Sequence, residues 1–248
     1  MFYQKRAGKS SYFVFKELEA ISGFIHVFTS RQIDTEINDA KDAEEGVSKN
    51  DLLLATLGLR TEQIVQLHQT HSDKIVVINE KFHGQSGKFP AGDGVILLSA
   101  GYFSVIRSAD CLPILLVVAE QKKVCSLHAG WRGTRERIAA KGVSKFWELT
   151  DVHPQEMIGV LGPCIRSCCY EVGVKIRNQF EKKGHDVERI FTGRRLDLVE
   201  ANLVQLKEMG VRHVLDSQAC TFCQPESFYS CRREGKTGRM WALAGFRR

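Results

Sequence analysis

Prolines are scarce in this chain, five among 248 residues, and no Pro/Ser-rich stretch marks a linker. Repeats and low-complexity tracts are absent as well, so a single compact domain over residues 1–248 is the expectation. No apolar run approaches the ~20 residues that a membrane-crossing helix needs. The longest, residues 111–119, is short and holds Pro113. Residues 1–11 (MFYQKRAGKSS) carry charge with no apolar segment behind them, which argues against a secretory signal and for a cytoplasmic chain with reduced thiols. The eight histidines (26, 68, 71, 83, 128, 153, 185 and 213) contain no His-x-His pair. Copper-cluster chemistry that relies on several such pairs is not expected. Only one Cys-x-x-Cys is present, Cys220 to Cys223.

What is there looks globular. Apolar residues make up 43% and charged residues 26%, which excludes a disordered chain, a collagen and a coiled-coil rod. At this length the core needs no disulfide staples. The eight cysteines are therefore read as thiols, available for metal or catalysis. Arg232, Arg233, Lys236, Arg239, Arg247 and Arg248 concentrate positive charge near the end of the sequence. Such a cluster suits phosphate or an acidic group. No aromatic-basic module accompanies it, so a nucleic-acid partner is not expected.

Short runs rich in Ile, Val and Phe predict strands over 23–28, 63–67, 74–78, 94–98, 103–106, 114–119, 123–127 and 157–161. The continuously apolar runs among them suit strands covered on both faces. Helices are predicted from Ser48 (with Asp51 as its capping partner) to Gly58, over 131–149, over 174–183, and from the Asp197 cap to a stop at Gly210. Strand and helix do not alternate strictly. The fold class is α+β or mixed α/β, with helices outside one or two sheets.

Three segments place His, Cys or Asp where a core strand ends: His68-Gln69-Thr70-His71, Ala109-Asp110-Cys111 and His128-Ala129-Gly130-Trp131-Arg132-Gly133. Two imidazoles and a thiolate make a three-ligand zinc set with one open position. They equally suit a Cys–His pair, and spacing alone does not choose. The last segment enters a helix, whose amides with Arg132 suit an anion. A rival metal reading uses Cys220, Cys223 and Cys231, completed by Cys164, Cys168 or Cys169. Without a second Cys-x-x-Cys, these are expected to be reduced and to form neither zinc site nor disulfide, and the vicinal Cys168-Cys169 pair to be two small buried side chains.

Five ordered motifs resemble the YfiH-type laccase-domain (polyphenol oxidoreductase) family. They are Gln69-Thr70-His71, Ala109 to Leu115 (ADCLPIL), His128 to Gly133 (HAGWRG), Gly162 to Gly173 (GPCIRSCCYEVG) and Ser230 to Met240 (SCRREGKTGRM). Arg166-Ser167 and Cys231 depart from the usual pattern, and Cys223 looks additional. The resemblance implies a layered α/β/β/α fold with mixed sheets. It implies a metal held by His71, Cys111 and His128, with zinc usual and copper also attributed. It further implies purine nucleoside phosphorolysis on adenosine, inosine and methylthioadenosine, with adenosine deamination beside it. The small molecules expected are then a nucleoside and phosphate, met by a monomer with no membrane partner. On that reading Arg132, Arg232, Arg233 and Arg239 grip phosphate, while Asp110 and His68 are the further acid/base or orienting groups. Glu234 to Gly238 reads as the turn of a hairpin that folds these arginines back over the pocket. Two alternatives remain. One is a Cys111 amide hydrolase that edits peptidoglycan precursors, with His128 or His71 as base. The other is a copper-binding polyphenol oxidoreductase.

Overall fold

The computed structural model describes residues 1–8, 10–33, 49–79 and 89–248. Ser48, the expected helix cap, lies outside them. Two six-stranded sheets form the frame. The first contains β1 (Phe2–Ala7), β2 (Ser10–Phe15), β3 (Phe24–Thr29), β4 (Ile64–Gln66), β7 (Phe103–Ser108) and β14 (Met240–Phe246), in the order β1-β2-β3-β14-β7-β4. The second contains β5 (Ile75–Ile78), β6 (Gly94–Leu97), β8 (Leu112–Val118), β9 (Lys123–Ala129), β10 (Ile158–Leu161) and β13 (His213–Asp216), in the order β13-β10-β8-β9-β6-β5. Both mix parallel and antiparallel pairs; β4 runs parallel to β7, and β14 antiparallel to it. A separate ribbon joins β11 (Phe191–Thr192) to β12 (Arg195–Leu196).

Strand periodicity explains how the sheets stack. In β8, Leu115 and Val117 point into a core shared with Phe28, Val65, Ile106 and Ala244 of the first sheet. Ile114 and Leu116 point the other way, onto α3 (Ile138–Thr150) and α6 (Leu198–Glu208), where Phe146 and Leu206 cover them. The outer face of the first sheet packs Val27, Trp241 and Leu243 against Leu53 and Leu54 of α1 (Lys49–Thr56). The result is the expected α/β/β/α stack. The remaining α-helices among the described residues are α2 (Trp131–Arg135), α4 (Val174–Lys182), α5 (Val187–Ile190) and α7 (Cys231–Glu234).

Each strand expected from an apolar run forms. Two expectations need correction. The helix predicted over 131–149 is two helices, α2 and α3, broken at Arg137, whose φ is +62°. The break has a cause: the Thr134 carbonyl accepts from Gln205 Nε2 at 2.9 Å, and its hydroxyl accepts from Asn202 Nδ2 at 2.9 Å. The turn is thereby tied to α6. The predicted hairpin around Glu234–Gly238 is instead the short helix α7 followed by β14. Ser230 caps α7 by accepting from the Arg233 amide, and both edges of β14 are already paired, with β3 and with β7.

Candidate active site

The chain passes between the two sheets four times, and two of these crossings, β4 to β5 and β7 to β8, carry the expected His, Asp and Cys residues. Residues 67–74 lead from β4 to β5 and hold His68 and His71. Residues 109–111 lead from β7 to β8 and hold Asp110 and Cys111. His128 lies near the end of β9, next to the start of β8 and of β6. The ligand atoms of His71, Cys111 and His128 all lie within 4.8 Å of one another. The two imidazole rings meet edge to face with centroids 4.9 Å apart.

The backbone at this seam is unusual. His71 has φ +58° and Asp110 φ +99°. Side-chain-bearing residues avoid that region, and such strain persists only where its surroundings enforce it. For the 67–74 crossing the enforcer is Asp93, which precedes β6 and is fully buried. Its carboxylate accepts from the amides of Thr70 (3.1 Å), His71 (3.0 Å) and Ser72 (2.6 Å), and from the Ser72 hydroxyl (2.7 Å). It also accepts from His128 Nδ1 at 2.8 Å, which leaves Nε2 to face Cys111. Gln69 secures the other side of the crossing, exchanging two 2.8 Å bonds with the backbone of Arg107 in β7. Asp93 was invisible to sequence reasoning; an aspartate between two glycines reads as a turn.

These contacts set the charges. Burial works to raise the Asp93 carboxyl, but the bonds from His128 and Ser72 outweigh it and hold it well below the carboxylate range. Burial opposes ionisation of Cys111 too, yet the charge of His128 and bonds from both histidines bring its thiol down to about 6. Burial tends to neutralise His128, but Cys111 and Asp93 together lift it to about 9. The geometry is thus an Asp93–His128–Cys111 relay beside the more exposed His71.

The donor set fits a metal. Two imidazoles and a thiolate are zinc ligands, and a carboxylate on the far nitrogen of a ligand histidine fixes its tautomer. The space among them is kept open by Gly130, where a Cβ would stand 2.9 Å from Cys111 Sγ and 3.2 Å from His71 Cδ2.

In front of these groups lies a cavity of about 520 Å³. Arg107, Arg132, Arg232 and Arg239 reach it, with Phe89, Trp131 and Tyr170 as aromatic walls. Arg132 stacks on Trp131 at 4.5 Å and Arg232 on Tyr170 at 5.1 Å. His68 is on the rim. Arg107 was not anticipated, because it directly follows the strand signal at 103–106 and belongs to none of the motifs. One expected placement changes. Arg233 turns away from the cavity: its guanidinium donates to the carbonyls of Thr221 (2.6 Å), Phe222 (2.8 Å) and Phe228 (2.7 Å) and clamps that loop. Asp110 lines the cavity, as expected. Its carboxylate accepts from the Thr221 hydroxyl and the Arg232 amide at 2.7 Å each, which ties the β7–β8 crossing to α7.

The sequence over residues 26–247 matches the profile of the multi-copper polyphenol oxidoreductase laccase family. The chain belongs to this family. Among relatives, a purine nucleoside phosphorylase of Deinococcus radiodurans is 33% identical over 90% of this chain and 89% of its own. An adenosine deaminase from an unknown prokaryotic organism is 32% identical over 74% of each. Among solved structures, the Bacillus licheniformis hypothetical protein YfiH superposes with a TM-score of 0.87 at 25% identity over 99% of both chains. YlmD from Geobacillus stearothermophilus superposes with a TM-score of 0.84 at 24% identity over the full length of both.

Proposed function

We propose that this laccase-domain protein is a zinc-dependent purine nucleoside phosphorylase, acting on adenosine, inosine and methylthioadenosine, with adenosine deamination as a side activity. The observation that carries the reading is the placement of a His/Cys/His donor set at the floor of an arginine- and aromatic-walled cavity of nucleoside size. The names of the relatives, phosphorylase and deaminase, agree with it. Bound by His71, Cys111 and His128, zinc would supply Lewis-acid polarisation of a substrate oxygen, with copper the alternative occupant.

The remaining work falls to the chain. Trp131 and Tyr170 offer flat faces to a purine. Arg132, Arg232 and Arg239 present guanidinium groups to phosphate, which accepts from them in pairs. The cavity then holds a dianion beside a neutral ribose and orients the two for displacement at C1′. The bond from C1′ to the base breaks, the base leaves with the electron pair and takes a proton, and a phosphate oxygen bonds to C1′. His68, on the rim, would deliver that proton.

Incubation with adenosine and phosphate, followed by chromatography, tests the reading. Adenine with ribose 1-phosphate is expected, with some inosine from deamination. No turnover of any of the three nucleosides by metal-loaded protein would overturn it.

The Asp93–His128–Cys111 relay favours one second reading, amide hydrolysis with Cys111 as nucleophile, for example on a cell-wall precursor. Metal content separates the two. A thiolate bound to stoichiometric zinc is not free to attack, whereas a metal-free enzyme whose Cys111 is rapidly alkylated at pH 7 would favour the hydrolase.

A further inference from the structure

Four of the eight cysteines meet in a cluster that the functions assigned above do not use. Cys168 and Cys169 lie on the loop between β10 and α4, and Cys220 and Cys223 on the turn after β13. Their sulfurs all lie within 4.8 Å of one another. Cys168 Sγ is 3.6 Å from that of Cys220 and 3.7 Å from that of Cys223, and Cys169 Sγ is 3.3 Å from that of Cys223. The expectation that Cys168 and Cys169 are two small buried side chains fails, since Cys168 is exposed and Cys169 half-buried; all the thiols are free, as expected, and Cys231 stands outside the cluster.

These spacings are informative. A disulfide holds its sulfurs at ~2.05 Å, so no pair here is bonded. A zinc ion with four thiolates at ~2.3 Å sets its sulfurs about 3.8 Å apart, the edge of the tetrahedron. Packing does not account for the cluster, since a cysteine kept for packing is buried, whereas Cys168 and Cys223 are exposed. The two loops are also held in register without any metal. Cys164 pairs with Cys220 as a parallel bridge, its amide donating to Ala219 and its carbonyl accepting from the Thr221 amide. A preorganised, four-ligand, all-thiolate set with no open position is the signature of a structural zinc site.

We propose that Cys168, Cys169, Cys220 and Cys223 bind a second, structural zinc ion that staples the 162–173 loop to the 219–223 turn. The staple has a purpose visible in the fold. Tyr170, next to Cys169, forms one wall of the cavity. Thr221, between the two cysteines of the turn, donates to Asp110, which neighbours the metal-facing Cys111. Fixing the two loops fixes a cavity wall and the support of the β7–β8 crossing together. The proposal shares no ligand with the His71/Cys111/His128 set and does not depend on nucleosides being the substrate.

The test is metal content of the full chain, purified reduced from zinc-supplemented medium. In Cys111→Ser, which removes a ligand of the first set, one zinc per chain should remain. Adding Cys168→Ser and Cys223→Ser should remove it. In the otherwise unaltered chain, Cys168→Ser with Cys223→Ser should lower zinc by one per chain. Cobalt(II) reconstitution guards against variants that fail to fold: in Cys111→Ser it should give the intense sulfur-to-cobalt charge-transfer bands of a tetrathiolate. Zinc content in Cys111→Ser indifferent to the two added serines would overturn the proposal. So would a Cys168–Cys220 or Cys169–Cys223 disulfide in protein purified without reductant, or iron in place of zinc.

Discussion

A buried carboxylate must be fully hydrogen-bonded or lose its charge, and Asp93 takes the first course by gathering the 70–72 amides and His128 around itself. Replacing it with Asn keeps the shape but forces a donor against one of those N–H groups. Asp93→Asn should weaken metal binding by 10–100-fold, the usual effect of losing such a supporting partner, measured by chelator competition. Gly130→Ala is expected to lose the metal with the fold retained, since its Cβ would stand against Cys111 Sγ. A third residue acts far from the site. His26 is buried, accepts from the Phe15 amide at 2.8 Å and stacks on Phe24. Burial depresses its pKa from 6.5 to about 4. The unfolded chain then binds the extra proton first, so this contribution is full above pH 6.5 and is lost as pH falls toward 4. Between pH 6.5 and 5 wild-type protein should lose about 2 kcal/mol that His26→Gln does not, as urea titrations at the two pH values would show. Of the site's residues, His71, Cys111 and His128 were legible because the motifs carry them. Asp93 carries no motif of its own; its importance arises from three distant segments converging on it.

Elements differ in how plainly they announce themselves. The strands buried on both faces, such as β8, are written as unbroken apolar runs. β1 and β2 are not: they form one side of the first sheet, and Lys5 and Arg6 interrupt the apolar positions of β1. Charges of this kind protect sheet edges from unwanted pairing. β14 hid for another reason. It follows a basic cluster and has no β-branched residue, its two alanines and Gly245 interrupting the bulky positions, although all seven residues are buried. The same cluster misled the reading of the arginines, because adjacent residues on a short helix point in different directions. Arg132→Ala should raise the phosphate concentration needed for half-maximal phosphorolysis on the order of tenfold or more, the value of a charge-assisted bond of ~1.5–3 kcal/mol. Arg233→Ala should leave the phosphate dependence alone and lower thermal stability, because three loop carbonyls lose their donor. Initial rates over a phosphate series, with a melting curve for each variant, check both.

At the scale of the molecule, the two sheets are joined by more than apolar contact. Ser104 of β7 and Ser126 of β9, both fully buried, place their hydroxyls 2.6 Å apart across the interface, and Ser104 also donates to the Ala244 carbonyl at 3.0 Å. Ser126 is then the donor to Ser104. Ser104→Ala leaves Ser126 buried without its partner and should cost about 1–3 kcal/mol, whereas Ser126→Ala leaves the Ser104–Ala244 bond intact and should cost less. Chemical denaturation of the two variants gives the comparison. The central place of β14 bears on how the chain is made. β14 lies between β3 and β7, yet it is synthesised after every other strand of either sheet. On the ribosome, the N-terminal strands of the first sheet must wait with their inner edge unpaired until residues 240–246 leave the exit tunnel. For most of its synthesis the nascent protein therefore carries an open groove one strand wide, the state in which chaperones and aggregation compete for a chain.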